Sequence, residues 1–170
     1  KTIFVGDTSV HEYPTSKQLS EIAISSARVV RLFGFDPKVA FVSHSTFGQP
    51  LTSRTKHIKE AVEILKHKKV DFEFDGDMQP DVALNEEYKT LYPFSKIVGN
   101  ANILIMPGQH SAAISYKMMK TLGDTKVIGP LLIGLGLPIE IAPLRSSTSE
   151  IIDLASIAAY SADVIDYNKN

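Results

Sequence analysis

The chain has 170 residues, of which 44% are hydrophobic and 22% are charged. This predicts one domain, or one domain with a piece of another, that has enough apolar side chains to bury a core. Eighteen lysines and arginines against 19 aspartates and glutamates leave a net charge of −1, which gives no electrostatic reason to expect a nucleic-acid or membrane partner. The absence of cysteine excludes disulfides, thiolate zinc sites and a cysteine nucleophile, and it suits a reducing, cytoplasmic compartment.

Short apolar runs alternate with amphipathic stretches along the chain, which predicts alternating strands and helices. Such alternation is typical of an α/β fold with a mostly parallel sheet covered on both faces. Two helix starts carry capping boxes, Thr15 with Gln18 and Ser147 with Glu150. The predicted strands are residues 3–7, 38–43, 72–74, 101–106, 126–135 and 138–142, and the predicted helices begin at Thr15, after Ser53, at Pro80, at His110 and at Ser147. The first residues carry neither an initiator methionine nor a signal-peptide pattern, so we expect a piece of a longer protein.

The loop Ser43-His-Ser-Thr-Phe-Gly48 follows a predicted buried strand, where open α/β sheets bind their ligands. Its hydroxyls and backbone amides suit an anion, and Gly48 permits close approach. A turn that caps its own backbone with its hydroxyls is an equally good interpretation. The segment that follows is basic, which favours an anion but is also typical of a solvated helix face; its members are Arg54, Lys56, His57 and Lys59.

Two further loops follow predicted strands. In Asp75-Gly-Asp-Met-Gln79, paired acids suit a magnesium ion or an acid–base pair. A turn closed by Asp and Gly, with Asp81 near a helix N-terminus, needs no ligand and is the favoured interpretation. In the loop at residues 143–150, Glu150 has a sufficient structural role as a capping residue, whereas Arg145 precedes a helix N-terminus, where an anion is favoured.

Seven segments occur in order along the chain, at residues 3–7, 14–23, 39–48, 75–81, 101–102, 127–131 and 158–159. Together they resemble the second half of the phosphate acetyl/butyryltransferase family. Within that family, residues 43–48 and 109–115 are most similar to the C-terminal region of large NADP-dependent malic enzymes, where a phosphotransacetylase-like domain follows the catalytic part.

The resemblance implies a three-layer α/β/α fold similar to isocitrate and isopropylmalate dehydrogenases. Residues 1–142 would be the second half of a phosphotransacetylase-like domain. Residues 143–170 would be a return segment and a terminal helix that packs on the missing first half or on a partner subunit. The implied partners are acetyl-CoA or another acyl-CoA, a second copy in a homo-oligomer and the malic enzyme catalytic domain of the same chain. NADP and a divalent metal would be bound by that catalytic domain, and no cofactor is expected in this chain.

The chain departs from the family in the loop before the last helix. Active phosphotransacetylases carry a Ser-Arg pair there, which helps neutralise the acyl phosphate, and a later Asp that helps activate the coenzyme A thiol. The corresponding positions here are Pro143, Leu144 and Glu150, and Arg145 is displaced by one residue. Losing a charged stabiliser of this kind lowers the rate by about 10²–10³-fold. We therefore expect a pocket that binds its ligand without acyl transfer.

The leading hypothesis is a regulatory and oligomerisation domain of an NADP-dependent malic enzyme that binds acetyl-CoA as an effector. The expected ligand contacts are Ser43, His44, Ser45, Thr46 and Gly48, with Arg145 as a charged partner. The alternative is a working phosphate acetyltransferase, which converts acetyl phosphate and CoA to acetyl-CoA and phosphate and uses Arg145 and Glu150 in place of the lost groups. A third interpretation is a purely structural module that binds no acetyl-CoA.

Overall fold

The structure is a computed structural model that describes residues 1–7 and 9–167. The chain divides into two compact units, Lys1–Ser115 and Tyr116–Asn170. The elements in chain order are β1 (Phe4–Gly6), α1 (Ser16–Leu32), β2 (Lys38–Val42), α2 (Ser53–Lys68), β3 (Glu73–Met78), α3 (Pro80–Leu84), α4 (Glu86–Lys89), β4 (Ile103–Ile105), α5 (Gln109–Leu122) and α6 (Thr148–Tyr167). No helix in the described ranges is both long enough and apolar enough to cross a membrane.

The strands of the first unit form a parallel sheet in the order β1-β4-β2-β3. Strand β2 lies between β4 and β3, and its residues 39–41 pair with residues 103–105 of β4. On the other side, the pairing of β2 with β3 shifts register between Phe41 and Val42. Because the strands are parallel, the segments that follow them emerge at one edge of the sheet, where α/β proteins bind ligands.

Both faces of this sheet are covered, as its continuous apolar strands predict. Alternate side chains of a strand point to opposite faces, so Val39 and Phe41 pack on one side and Ala40 and Val42 on the other. Helices α1 and α2 cover the first face, whereas α3 and the first turn of α5 cover the second. The α/β class and the three-layer α/β/α architecture are therefore confirmed.

Helices α1 and α2 both begin with a capping box. The Thr15 amide donates to Gln18 Oε1 at 2.8 Å, and the Gln18 amide donates to Thr15 Oγ1 at 3.2 Å, as predicted. In α2, Thr52 and Thr55 satisfy each other's amides in the same way. These local bonds replace helix hydrogen bonds that the first turn lacks, so they fix where each helix starts.

Several predicted boundaries are wrong. Residues 126–135 and 138–142 form no strand, and the helix predicted from Pro80 is two short helices separated by the extended residue Asn85. A strand needs a neighbour that completes its backbone hydrogen bonds, and an apolar run does not supply one. The prolines of the 126–142 segment also lack a donor for a sheet. Within this segment, the Leu132 amide donates to Glu140 Oε2 at 3.2 Å, and burial raises the pKa of Glu140.

The core between α2 and the sheet is testable through two leucines of the first unit. Leu65 is 0% exposed in the first apolar cluster, whereas Leu51 is 66% exposed. Leu65→Ala is expected to lower the free energy of unfolding by about 2–5 kcal/mol, because the lost packing leaves a cavity. Leu51→Ala, the control, is expected to change it by less than about 0.5 kcal/mol in urea denaturation. Equal losses for the two variants would contradict this core.

Candidate functional site

The loop Ser43–Gly48 follows β2 and is tied to the end of β3. Backbone and side-chain hydrogen bonds fix it along its whole length. These bonds are Ser43 amide to Met78 carbonyl at 2.9 Å, Phe47 amide to Asp77 carbonyl at 2.6 Å, Gln79 amide to Thr46 Oγ1 at 3.2 Å and Gln79 Nε2 to His44 carbonyl at 2.9 Å. The structure thus brings together five of the six predicted binding residues in one rigid loop.

A bulge in β3 shapes this contact. Phe41 pairs with Gly76 and Val42 with Met78, so Asp77 is an extra residue without a partner in β2. Gly76 has a φ of +151°, and a Cβ there would lie 2.7 Å from the Phe41 Cβ and 2.8 Å from its carbonyl oxygen. Only glycine fits this close approach. The prediction that residues 75–79 form a loop is wrong, because residues 75–78 belong to the strand.

Asp77 directs its carboxylate to the loop. Its Oδ2 accepts a hydrogen bond from the Ser45 hydroxyl, and both residues are fully buried. Its Oδ1 has no partner among the described residues. Since a hydroxyl has one proton, a phosphate contact at Ser45 requires that hydroxyl to leave Asp77. A buried carboxylate also disfavours an anion beside it, so the Ser45 end is the less suitable end of the loop for a phosphate.

Asp75, the other acid of the bulged strand, has a structural role. Its Oδ1 accepts from the Gly76 amide at 2.9 Å and its Oδ2 from the Lys96 amide at 2.8 Å. Both oxygens are therefore occupied by the protein's own backbone. Within residues 1–7 and 9–167, no group of three or more His, Cys, Asp or Glu side chains is arranged to bind a metal ion.

The Gly48 end of the loop has a different character. Phe47 and Gly48 both have left-handed backbone conformations, with φ of +49° and +82°. A Cβ on Gly48 would collide with the Lys59 side chain, whose ammonium group lies directly against the glycine. Thr46 Oγ1 accepts from Gln79 and keeps its own proton for another acceptor, and the His44 side chain is exposed. The partly exposed Lys59 and the exposed His44 are thus available at this end, whereas Thr46 is only 6% exposed.

In the second unit, Arg145 lines a cavity of about 110 Å³ in the loop before α6. The ion pairs described in this unit join Lys120 to Glu150 and Lys126 to Asp153, and neither involves Arg145. The cavity is lined by Lys120, Ile128, Gly129, Pro143, Arg145, Ser146, Glu150, Asp153 and Leu154. Because its guanidinium has no carboxylate partner among these pairs, Arg145 is available to an anion.

Glu150 is held by two neighbours. Its Oε1 accepts from Lys120 Nζ at 2.6 Å, while its Oε2 accepts from the Ser147 amide at 2.8 Å and the Ser147 hydroxyl at 3.1 Å. The Lys120 bond, followed by those from Ser147, lowers the pKa of Glu150 to about 2. The predicted capping box is confirmed. A carboxylate with this pKa is a weak proton acceptor at neutral pH.

The sequence did not single out Asp7, which follows β1 at the same sheet edge. Its carboxylate accepts from the amides of Val10 and His11, at 2.9 and 3.1 Å, and pairs with the His11 ring. Burial raises the pKa of Asp7, but these hydrogen bonds outweigh burial and the net pKa is lowered. The Asp-x-x-x-His spacing was the available signal, but spacing alone does not show that the two side chains meet.

Comparisons with known proteins find similarity to phosphate acetyltransferases and to malic enzymes. The family described as phosphate acetyl/butaryl transferase matches residues 1–159. An NADP-dependent malic enzyme of Rhizobium meliloti (strain 1021) is 47% identical over 162 residues, which cover 95% of this chain and 21% of that protein. A phosphate acetyltransferase of Clostridium acetobutylicum is 35% identical over 162 residues, covering 94% of this chain and 49% of that protein.

A solved structure also shows similarity to a phosphotransacetylase. A phosphotransacetylase from Streptococcus pyogenes superposes with a TM-score of 0.88 at 34% identity, covering 93% of this chain and 48% of that one. The chain therefore spans about one fifth of the similar malic enzyme and about half of the transferases.

The link between Lys120 and Glu150 is testable by titration. The Glu150 carboxyl is expected to titrate at about pH 2 and not at its ordinary value of 4.5, and Lys120→Met is expected to raise its pKa. Because the folded-state pKa is lowered, the stability from this group is fully present above pH 4.5 and is lost as the pH falls towards 2. NMR of the side-chain carboxyl carbons measures this. Lys117→Met, in the same helix, is the control. A Glu150 pKa that is the same in Lys120→Met as in the wild-type protein would contradict the assigned link to Lys120.

Proposed function

Because the chain belongs to the phosphate acetyl/butaryl transferase family, we propose that it is the C-terminal phosphotransacetylase-like domain of an NADP-dependent malic enzyme. In this role it binds acetyl-CoA as an effector, contributes to a homo-oligomer and performs no acyl transfer. The similar malic enzyme supports this assignment, since its identity of 47% exceeds the 35% of the transferase over the same number of residues. NADP and the divalent metal belong to the catalytic domain of the same polypeptide.

The loop before α6 is the observation that carries the proposal. The family resemblance assigns acyl-phosphate neutralisation and thiol activation to positions that hold Pro143, Leu144 and Glu150 here. Proline and leucine have neither a hydroxyl nor a charge. Glu150 has both carboxylate oxygens engaged and a pKa of about 2. A site that lacks the charge and the base retains binding groups but not the means to stabilise the transition state.

The loop after β2 carries most of the proposed ligand contacts. In the first unit the loop offers Ser43, His44, Thr46 and Gly48 to the phosphate groups of acetyl-CoA, whereas Ser45, also expected as a contact, would first have to release Asp77. The second unit has a separate proposed anion contact, the Arg145 guanidinium at its cavity. Arg145 favours phosphate because its fork of donors matches phosphate oxygens.

Regulation requires that acetyl-CoA distinguish two arrangements of the assembly. A ligand that binds both arrangements equally shifts nothing, however tightly it binds. Inhibition of malate oxidation would follow if acetyl-CoA prefers the less active arrangement. Binding of acetyl-CoA to this domain would then change the activity of the catalytic domain.

The second unit carries apolar side chains suited to the proposed homo-oligomer. Contiguous exposed apolar patches on soluble proteins mark interaction surfaces. We assign the contact to the segment 127–139 and the alanine-rich helix α6. Large apolar residues exposed in and next to these segments include Ile128, Leu135, Leu137, Ile139, Ile141, Leu144, Ile151, Ile152 and Tyr160.

The effector role predicts that acetyl-CoA inhibits NADP-dependent malate oxidation by the full-length protein. Deleting residues 1–170 should remove that inhibition while basal oxidation persists, because the sensor and the catalytic site lie on different parts of the polypeptide. Initial rates of NADPH formation with and without acetyl-CoA measure both effects. Inhibition that survives the deletion would place the effector site elsewhere.

A control assay separates the alternative function. The full-length protein is supplied with acetyl phosphate and CoA, and acetyl-CoA formation is followed directly. No formation above the uncatalysed rate is expected. Product formation that depends on Arg145 and Glu150 would instead support a working phosphate acetyltransferase.

Arg145 is expected to contribute to effector binding. Arg145→Ala should raise the acetyl-CoA concentration for half-maximal inhibition about tenfold, which corresponds to the loss of one charge-assisted hydrogen bond. Arg28→Ala, which removes an exposed arginine of α1, is the matched control and should leave it unchanged. Equal acetyl-CoA concentrations for half-maximal inhibition in the two variants would show that Arg145 is not part of the site.

A further inference from the structure

The turn at residues 46–49 brings a cation and an aromatic surface to one corner of the first unit. We call this the Gly48 corner and define it by Phe47, Gly48, Lys59 and Phe94. Lys59 lies against Gly48, and Phe94 lies against Phe47, the neighbouring residue. The loop after β2 therefore joins the two groups through adjacent positions of one turn.

Lys59 is a partly buried cation that pairs with no carboxylate among residues 1–7 and 9–167. None of the ion pairs in the described part of the chain includes it, whereas Lys66 pairs with Glu63 and Lys38 with Glu73. The missing Cβ of Gly48 makes the space that its ammonium group occupies. An ammonium drawn partly out of water without a counter-charge favours an anionic ligand.

The aromatic side of the corner is a cluster of three rings, one of them largely exposed. The Phe47 ring lies 5.5 Å from the Tyr92 ring and 4.8 Å from the Phe94 ring, and the two outer rings meet edge-on at 6.2 Å. Phe47 has a left-handed φ of +49°, which is unfavourable for a bulky side chain and is maintained by these contacts. Phe94 is 62% exposed, so its ring offers a face to a planar group.

We propose that Lys59 and Phe94 bind the nucleotide end of an adenosine phosphate ligand at the Gly48 corner. Lys59 contacts a phosphate and the Phe94 ring stacks against the base, because a nucleotide presents both an anion and a planar aromatic group. The inference rests on the proposed acyl-CoA binding and names the end of that ligand which this loop recognises. The phosphate then binds away from the Ser45 hydroxyl, which already serves Asp77.

The test measures dissociation constants by calorimetry on the full-length protein. The probes are acetyl-CoA, adenosine 3′,5′-bisphosphate as the nucleotide end alone, and acetyl-pantetheine, which lacks the nucleotide. Lys59→Met should weaken binding of the first two about tenfold, and Phe94→Ala about fivefold. Lys59→Arg should retain most of the affinity. Acetyl-pantetheine should bind all variants equally.

Lys68→Met, which removes an exposed lysine at the far end of α2, is the matched control and should leave all three affinities unchanged. A wild-type protein that does not bind adenosine 3′,5′-bisphosphate overturns the inference, and so do equal affinities for Lys59→Met and Lys68→Met. If nucleotide binding requires Lys59 but acetyl-CoA does not change the rate of malate oxidation, the nucleotide site is kept and the effector role is overturned. If acetyl-CoA inhibits Lys59→Met as strongly as the wild-type protein, the effector role is kept and the nucleotide site is overturned.

Discussion

The contact between the Ser45 hydroxyl and the Asp77 carboxylate determines the shape of the loop after β2. It exists because Gly76 approaches the Phe41 backbone more closely than any other residue is able to. The register then shifts, Asp77 becomes the extra residue of β3, and its carbonyl also receives the Phe47 amide. One glycine in a strand thus sets the conformation of a loop that neither begins nor ends at that strand.

In the first unit, the polar groups that stabilise the fold differ from those that a ligand is able to contact. Asp75, Asp77 and the Ser45 hydroxyl are hydrogen-bonded inside the protein. Lys59 joins none of the ion pairs in the described ranges, and the Phe94 ring is 62% exposed. Buried polar groups that satisfy one another rigidify their surroundings. A loop held on one side and open on the other is organised before any ligand arrives, which reduces the entropy lost on binding.

Sequence reasoning succeeded where the signal is local. The capping boxes at Thr15 and Ser147 involve residues three apart, and the buried strands β2 and β4 are continuous apolar runs. It failed for residues 126–142, because a strand depends on a partner that no local pattern specifies. Lys59 was grouped with other basic residues, since its place over Gly48 depends on how α2 packs across the loop.

Both carboxylate oxygens of Glu150 are hydrogen-bonded, and this limits which substitutions could restore transfer chemistry. A Leu144→Arg substitution would supply a charge before α6, but the carboxylate at position 150 would still be bound to Lys120 and Ser147. Shortening it by Glu150→Asp would draw it away from Lys120 and weaken the bonds that start the helix. The beginning of α6 and any transfer chemistry compete for the same side chain. A lineage that regained such chemistry would first have to pass through proteins with a less stable terminal helix.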